Sequence, residues 1–210
     1  MKRLAPAMSR VRARRRIILV AAVYGLLWLV LAINPADRSD WLLENLLVAA
    51  TIGFFALTHR WLRLSETSYF LIATFLTLHA IGAHYTYAET PAGFWLQRAL
   101  DLERNHFDRI AHFGFGLLLA RPFLEISESH GHMRPAWAYA YAFLVVVAAS
   151  ALYELLEWMV ALVVEPTAAN AWLGTQGDPF DAQKDMGLAT IGAMLALAVV
   201  ALIRSARPAR

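Results

Sequence analysis

Six apolar runs alternate with shorter polar stretches along this chain: Ile17–Ile33, Leu42–Thr58, Tyr69–Ala88, Phe107–Ile126, Ala136–Val164 and Met186–Ile203. Each is close to or longer than the roughly 20 residues a helix needs to cross the hydrocarbon core of a bilayer. The pattern predicts an all-α, polytopic transmembrane helix bundle with six spans. The first and last runs carry no charge. The second holds Glu44 near its start, and the third holds His79 and His84. The fourth opens on Asp108 and Arg109 and contains Arg121, while the fifth is broken only by Glu154 and Glu157. A seventh span would require cutting that fifth run, which has no proline or glycine to turn on. Between the third and fourth runs, Glu89–His106 contains Phe94, Trp95, Leu96, Ala99 and Leu100, the pattern of a short interfacial helix.

Composition agrees with the pattern. Of 210 residues, 59% are hydrophobic, against about half in a soluble domain, and the mean hydropathy is +0.48. There is no cysteine, which excludes disulfides, thiolate metal sites and a cysteine nucleophile. The pI near 9.4 would suggest nucleic acid in a soluble protein. Here the basic residues flank apolar runs, so membrane lipids are the expected partner and nucleic acid is not. Lys2, Arg3, Arg10, Arg12, Arg14, Arg15 and Arg16 precede the first run; Arg60 and Arg63 follow the second, Arg134 the fourth, and Arg204, Arg207 and Arg210 the last. The alternate loops hold only Arg38, Arg98, Arg104 and Lys184, with Arg109 at a span edge. By the positive-inside rule both termini are cytoplasmic. The chain divides into a basic segment 1–16, one transmembrane domain 17–203 and a basic tail 204–210. A cleaved signal peptide is the weaker reading of the start, since the run is long for one and no small-x-small site closes it before Asn34-Pro35.

With that topology, the polar side chains converge on one layer. The third span runs outward and delivers His84, Tyr85, Tyr87 and Glu89 to the outer surface, with His79 about 7 Å deeper at 1.5 Å per residue. The fourth places Asp108 at its outer mouth and His112 one turn below. The fifth carries Glu154 and Glu157 in the outer leaflet. Asp178, Asp181 and Asp185 stand at the outer entrance of the sixth. Residues three or four apart share a helix face, so Asp108 with His112, Glu154 with Glu157, and Asp181 with Asp185 form same-face pairs. His79 and His84, five apart, diverge.

Carboxylates and imidazoles are natural ligands for zinc, manganese or non-haem iron. They also serve acid–base catalysis or carry protons. The metal-ligand candidates are His84, Asp108, His112, Glu154, Glu157, Asp181 and Asp185, with a divalent ion as the expected cofactor. The catalytic candidates are Glu154, Glu157, His112 and Asp185. Each has a plainer reading. Asp178-Pro179 looks like an N-cap followed by N1, with Asp181 at N3; Asn105 and Asp108 repeat that pattern. Glu154 and Glu157 could be neutralised by Arg109 or Arg98. Trp95 and Trp172 suit the headgroup layer, and His59 the interface. His106, His130 and His132 read as loop residues. Gly174 and Gly177 suggest a tight re-entry turn, and Gly114, Gly116 and Gly192 suggest close helix packing. A mid-span charge costs roughly 2.5–3.5 kcal/mol on insertion scales, so Glu154 and Glu157 have the strongest claim to function.

The blocks HYTYAETPAGFWLQ, RNHFDRIAHFGFG, YELLEW and LGTQGDPFDAQKDM together resemble the bacterial inner-membrane proteins of the YjdF type, in the same order from about Asn34 to Ala201. The DR-x-x-HF segment also bears a looser likeness to VanZ-type membrane proteins. The resemblance implies an inner-membrane, multispan fold and transfers no reaction. Its motif positions add Tyr85, Tyr87, Arg109 and Gln176 as candidate substrate contacts. The expected function is a metal-dependent hydrolase or transferase at the periplasmic face, acting on a lipid or envelope precursor. A non-enzymatic structural or accessory protein and a proton-coupled transporter are the alternatives.

Overall fold

The computed structural model describes residues 4–58, 60–164 and 172–206, with side chains from residue 11 onward. Lys2, Arg3, His59, Glu165, Arg207 and Arg210, and the side chain of Arg10, lie outside what it describes. Among the described residues there are seven helices and no strand: α1 Leu4–Leu31, α2 Arg38–Thr58, α3 Glu66–Tyr85, α4 Pro91–Leu100, α5 Phe107–Ser129, α6 Pro135–Ala161 and α7 Asp181–Ser205. Four of them, α2, α5, α6 and α7, are long and apolar enough to cross a membrane. In α1 the arginines at 14, 15 and 16 shorten the uncharged stretch, and in α3 the histidines and hydroxyl residues dilute it.

Local sequence explains most of the boundaries. Asp37 accepts the Ser39 and Asp40 N–H groups at 2.7 and 2.9 Å, so α2 begins four residues before its apolar run. Ser65 caps α3 through the Ser68 N–H. Thr90 and Pro91 start α4, the expected interfacial helix, which leaves Trp95 exposed. The fifth run forms one continuous helix, in keeping with an uncut span. Residues 4–16, before the first run, are helical as well, so α1 extends well upstream of residue 17.

The long helices alternate in direction. Arg16 meets Glu66 at one end of the α1–α3 pair and Leu31 meets His84 at the other, so these two run parallel. Trp28 donates to Asn45 at 2.6 Å, joining the end of α1 to the start of α2. Ser65 and Ser68 bond Glu125, which sets α3 antiparallel to α5. Arg109–Asp181 at one end and Glu128–Arg204 at the other set α5 parallel to α7.

Helix α5 is the hub and packs most extensively on α7. Their contact is backbone-close: a Cβ at Gly116 would strike the Ala189 carbonyl, and one at Gly192 the Phe113 carbonyl. The core beside it is built of small residues, Ala120, Ala138, Ala142, Ala189 and Ala193, with Leu124 and Val146. Small side chains let membrane helices approach and gain dispersion contacts that lipid would otherwise supply. Large apolar side chains such as Leu26, Leu57 and Val163 face outward. By contrast α2 packs chiefly on α3.

Three expectations need correcting here. Asn105 is not the N-cap of α5: the helix begins at Phe107 after His106, and Asn105 accepts the Phe107 N–H from one residue further out. Trp172 is not at the surface: it is 9% exposed and donates its indole N–H to the Glu157 carbonyl at 3.2 Å. Asp178 is not the N-cap of the last helix, which begins at Asp181. It forms a turn instead, accepting the Phe180 N–H at 3.1 Å.

Candidate functional site

The start of α5 positions the site. Asn105 is buried, accepts the Phe107 N–H at 3.0 Å and donates to the Thr90 carbonyl at 3.1 Å. Its backbone is clamped by Gln176, whose amide accepts the Asn105 N–H at 3.1 Å and donates to the Asn105 carbonyl at 2.9 Å. This fixes Asp108 in the first turn and His112 one turn below. Their side chains share a face, with His112 Nε2 at 3.6 Å from Asp108 Oδ1. Glu154 of α6 reaches the same imidazole nitrogen at 3.5 Å. Asp185 of α7 completes the group: one ligand atom each from Asp108, His112 and Asp185 lies within 4.8 Å of the others. Asp185 is 2% exposed, and both its Oδ1 and Glu154 Oε1 are buried without a hydrogen-bond partner among the described residues. Buried acceptors of this kind are costly unless a donor or cation meets them. Glu157, one turn on, lies within electrostatic range of Asp108, Glu154, Glu44 and Asp185.

The arginines are engaged elsewhere. Asp181 Oδ1 accepts Arg104 Nη1 at 2.6 Å and Arg109 Nη2 at 2.7 Å. Asp178 Oδ2 accepts Arg109 at 2.7 Å and Lys184 at 2.6 Å. Arg104 also donates to the Thr175 and Gly174 carbonyls. These bonds latch the segment 174–181 over the mouth of the bundle. The Lys184 ammonium, the Phe180 N–H and the Arg109 guanidinium hold the Asp178 carboxyl well below the usual carboxylate range. His106, beside them, is pushed down by burial and by Arg109 and Arg104. Among the described residues no ion pair joins Glu154 or Glu157 to Arg109 or Arg98, so neutralisation by arginine does not account for these two acids.

A second polar group stands on α2, α3 and α6. His79 Nε2 lies 3.1 Å from the Glu44 carbonyl, which can only accept, so Nε2 carries the proton. The bare Nδ1 then accepts the Tyr87 hydroxyl at 2.6 Å. Tyr153 donates to Glu44 Oε2 at 3.0 Å. Tyr87 reaches back because the chain reverses at Thr86 and Tyr87, both at positive φ (58° and 43°), and its ring lies over Gly82, where any Cβ would collide with it. Between the two groups is a cavity of about 120 Å³. Leu47, Phe75, Phe115 and Ala149 line its apolar side, and His79, Tyr87, Asp108 and His112 its polar side.

The structure thus brings together Asp108, His112, Glu154, Glu157 and Asp185 of the expected set. Five of the others have different partners. His84 Nδ1 bonds the Leu31 carbonyl at 2.7 Å, at the end of α1, because five residues from His79 turn it to another face. Tyr85 packs edge-on against that imidazole. Asp181, expected as a metal ligand, is an anchor for two guanidinium groups. Arg109 and Gln176, expected to contact substrate, are held in the latch. Asp40 and Arg104 carried no signal beyond being charged, Glu44 and His79 were visible only as polar interruptions of apolar runs, and Tyr153 only as an extension of the Glu154–Glu157 stripe. At the opposite end, Arg121 and Glu125 close with Ser65 and Ser68 into a network of their own.

Fold and site together define an integral membrane protein of apolar helices around a buried acid–histidine chamber. Residues 16–206 match the family described as "Predicted membrane protein (DUF2238)". The chain belongs to this family. It is 35% identical over 175 residues, 83% of each chain, to "Inner membrane protein YjdF" of Escherichia coli (strain K12). It is accordingly a multi-pass protein of the bacterial inner membrane. No solved structure matches it.

Proposed function

We propose that this protein is a membrane-embedded, metal-dependent hydrolase or transferase that acts on a lipid or envelope precursor at the periplasmic face. The observation that carries the reading is the closure of Asp108, His112 and Asp185 within 4.8 Å, from two helices, with a buried, unpartnered oxygen on Asp185. Two carboxylates and an imidazole form a donor set suited to a divalent ion. Such an ion activates a bound water at neutral pH. Glu154, 3.5 Å from His112, is placed to take the proton released. The cavity beside the triad has a size comparable to the roughly 150 Å³ apolar cavities that admit a small hydrocarbon. Its mixed lining favours a substrate with an apolar part and a polar reacting group.

In this reading α1, α2, α3, α5, α6 and α7 are six spans in one domain, 17–203, with both termini cytoplasmic. The alternation of helix directions supports it. So does the placement of Arg16, Arg204 and the Glu125 network at the end remote from the triad, which the positive-inside rule assigns to the cytoplasm. The accessory reading draws support from the Arg104–Asp181–Arg109–Asp178 latch, a network that holds chain to chain. That network leaves Asp185 Oδ1 without a partner among the described residues, which is why the metal reading ranks first.

The test is metal analysis of protein purified in detergent without chelator, paired with mass spectrometry of inner-membrane lipids incubated with it. Wild type retains a divalent metal and releases or transfers a headgroup. Asp185→Asn and His112→Ala lose both, and Glu89→Gln in the exposed turn between α3 and α4 loses neither. Equal, near-zero metal in all four proteins contradicts the proposal.

A further inference from the structure

The acids of α2 play no part in the triad, yet they share its chamber. Asp40 and Glu44 are one turn apart and are 6% and 4% exposed. With Glu157 and Asp108 they surround a second void of about 10 Å³, about the room one water-sized particle needs. Asp40 Oδ1 is buried there with no hydrogen-bond partner among the described residues.

A proton inventory shows what the void can accept. The Tyr87 hydroxyl proton is spent on His79 Nδ1, and the Tyr153 proton on Glu44 Oε2. The Trp172 indole N–H is spent on the Glu157 carbonyl. Among the described residues no lysine or arginine lines the void, and the nearby guanidinium groups are held by Asp178 and Asp181. With the carboxyls ionised, the polar side-chain atoms left facing inward are four carboxylates and a phenol oxygen, which accept, and the Thr86 hydroxyl, which can accept as well as donate. A buried space in a helix bundle ringed by four carboxylates suits a cation, and hard carboxylate ligands favour Mg²⁺- or Mn²⁺-like ions.

Asp108 lines both this void and the larger cavity beside the triad. We infer that the chamber holds two divalent cations, one on Asp108, His112 and Asp185 and the second on Asp40, Glu44 and Glu157, with Asp108 between them. The inference rests on the metal reading above and extends it to α2. The second ring is wider than the triad, the only set among the described residues to close within 4.8 Å. Paired metals of this kind clamp the attacking and leaving oxygens of a displacement. The chemistry therefore points to a phosphate ester or anhydride as the polar end of the substrate.

The test is titration of the full-length, chelator-stripped protein with Mn²⁺, read by bound metal per chain and by electron paramagnetic resonance. Wild type binds two Mn²⁺ with a spin-coupled spectrum. Asp40→Asn and Glu157→Gln each bind one, with the spectrum of an isolated ion, and elute and melt as folded proteins. Two variants on different helices guard against one that fails to fold. A single uncoupled Mn²⁺ in wild type, unchanged by Asp40→Asn, overturns the second site and leaves the triad standing. No bound Mn²⁺ in wild type overturns both.

Discussion

Replacing Asp185 by asparagine separates a binding site from a structural ion pair, because the two give opposite signs. Asp185 is 2% exposed, and its Oδ1 has no partner. Its nearest like-charged neighbour in the triad is Asp108, within 4.8 Å. At an effective dielectric near 20, two unit charges at that distance repel by about 3.5 kcal/mol. Protonation of either carboxyl reduces that figure, so neutralising Asp185 relieves about 1–3 kcal/mol in metal-free protein. At about 3 °C per kcal/mol for a chain of this size, the midpoint of thermal unfolding in detergent with EDTA rises by roughly 3–9 °C. Added Mn²⁺ reverses the order. A ligand at 100 times its Kd stabilises the native state by about 2.7 kcal/mol, and only wild type has the full donor set to gain it. The assay is a pair of melting curves for each protein, with EDTA and with Mn²⁺. A variant that melts below wild type by the same margin in both conditions refutes the reasoning, because Asp185 would then be held by protein contacts.

Three further outcomes follow from the geometry. Gly192→Ala drives a methyl group into the Phe113 carbonyl, and overpacking of this kind costs about 1–3 kcal/mol; melting curves will show the loss, and Gly53→Ala, with nothing near its Cβ, will show none. Gly82→Ala displaces the Tyr87 ring and breaks its bond to His79, which histidine NMR will report as a change at Nδ1. Asp178 has a depressed folded-state pKa, caused first by Lys184 and then by the Phe180 N–H and Arg109. Its contribution to the 174–181 latch is therefore present above the unfolded value of about 3.9 and is lost as pH falls through the lower folded value. Limited proteolysis of Asp178→Asn at neutral pH will cut this segment faster than in wild type, and the difference will shrink as the unfolding equilibrium is followed to acid pH.

The helices were legible because apolar runs of this length have one stable solution in lipid, where backbone groups must be satisfied within the helix. The same-face pairs were legible from the helical repeat alone: Asp108 with His112 is the clearest case. What the sequence withheld depends on backbone that leaves the helix. Tyr87 falls in the third apolar run, yet a left-handed turn at Thr86 and Tyr87 folds its ring back to His79. Asp178 and Asp181 look alike on paper, and only the positions of Arg104 and Arg109 show that both are neutralised while Asp185, one turn deeper, is not. Asp40 and Glu44 stood near the start of an apolar run, where acids pass for interfacial residues. Their burial depends on how α2 leans on α3 and α6, which no local pattern encodes. Trp172 misled for a similar reason: tryptophan before a span suits the headgroup layer, but here the latch turns it inward onto α6.

The central claim is that the chamber formed by Asp108, His112 and Asp185 binds a divalent metal. Anomalous scattering from crystals grown with Mn²⁺ tests it most directly. The account predicts a peak in the anomalous difference map between Asp108, His112 and Asp185, absent from crystals of Asp185→Asn. A well-ordered chamber with no anomalous peak, and Asp185 instead hydrogen-bonded to protein, would contradict it.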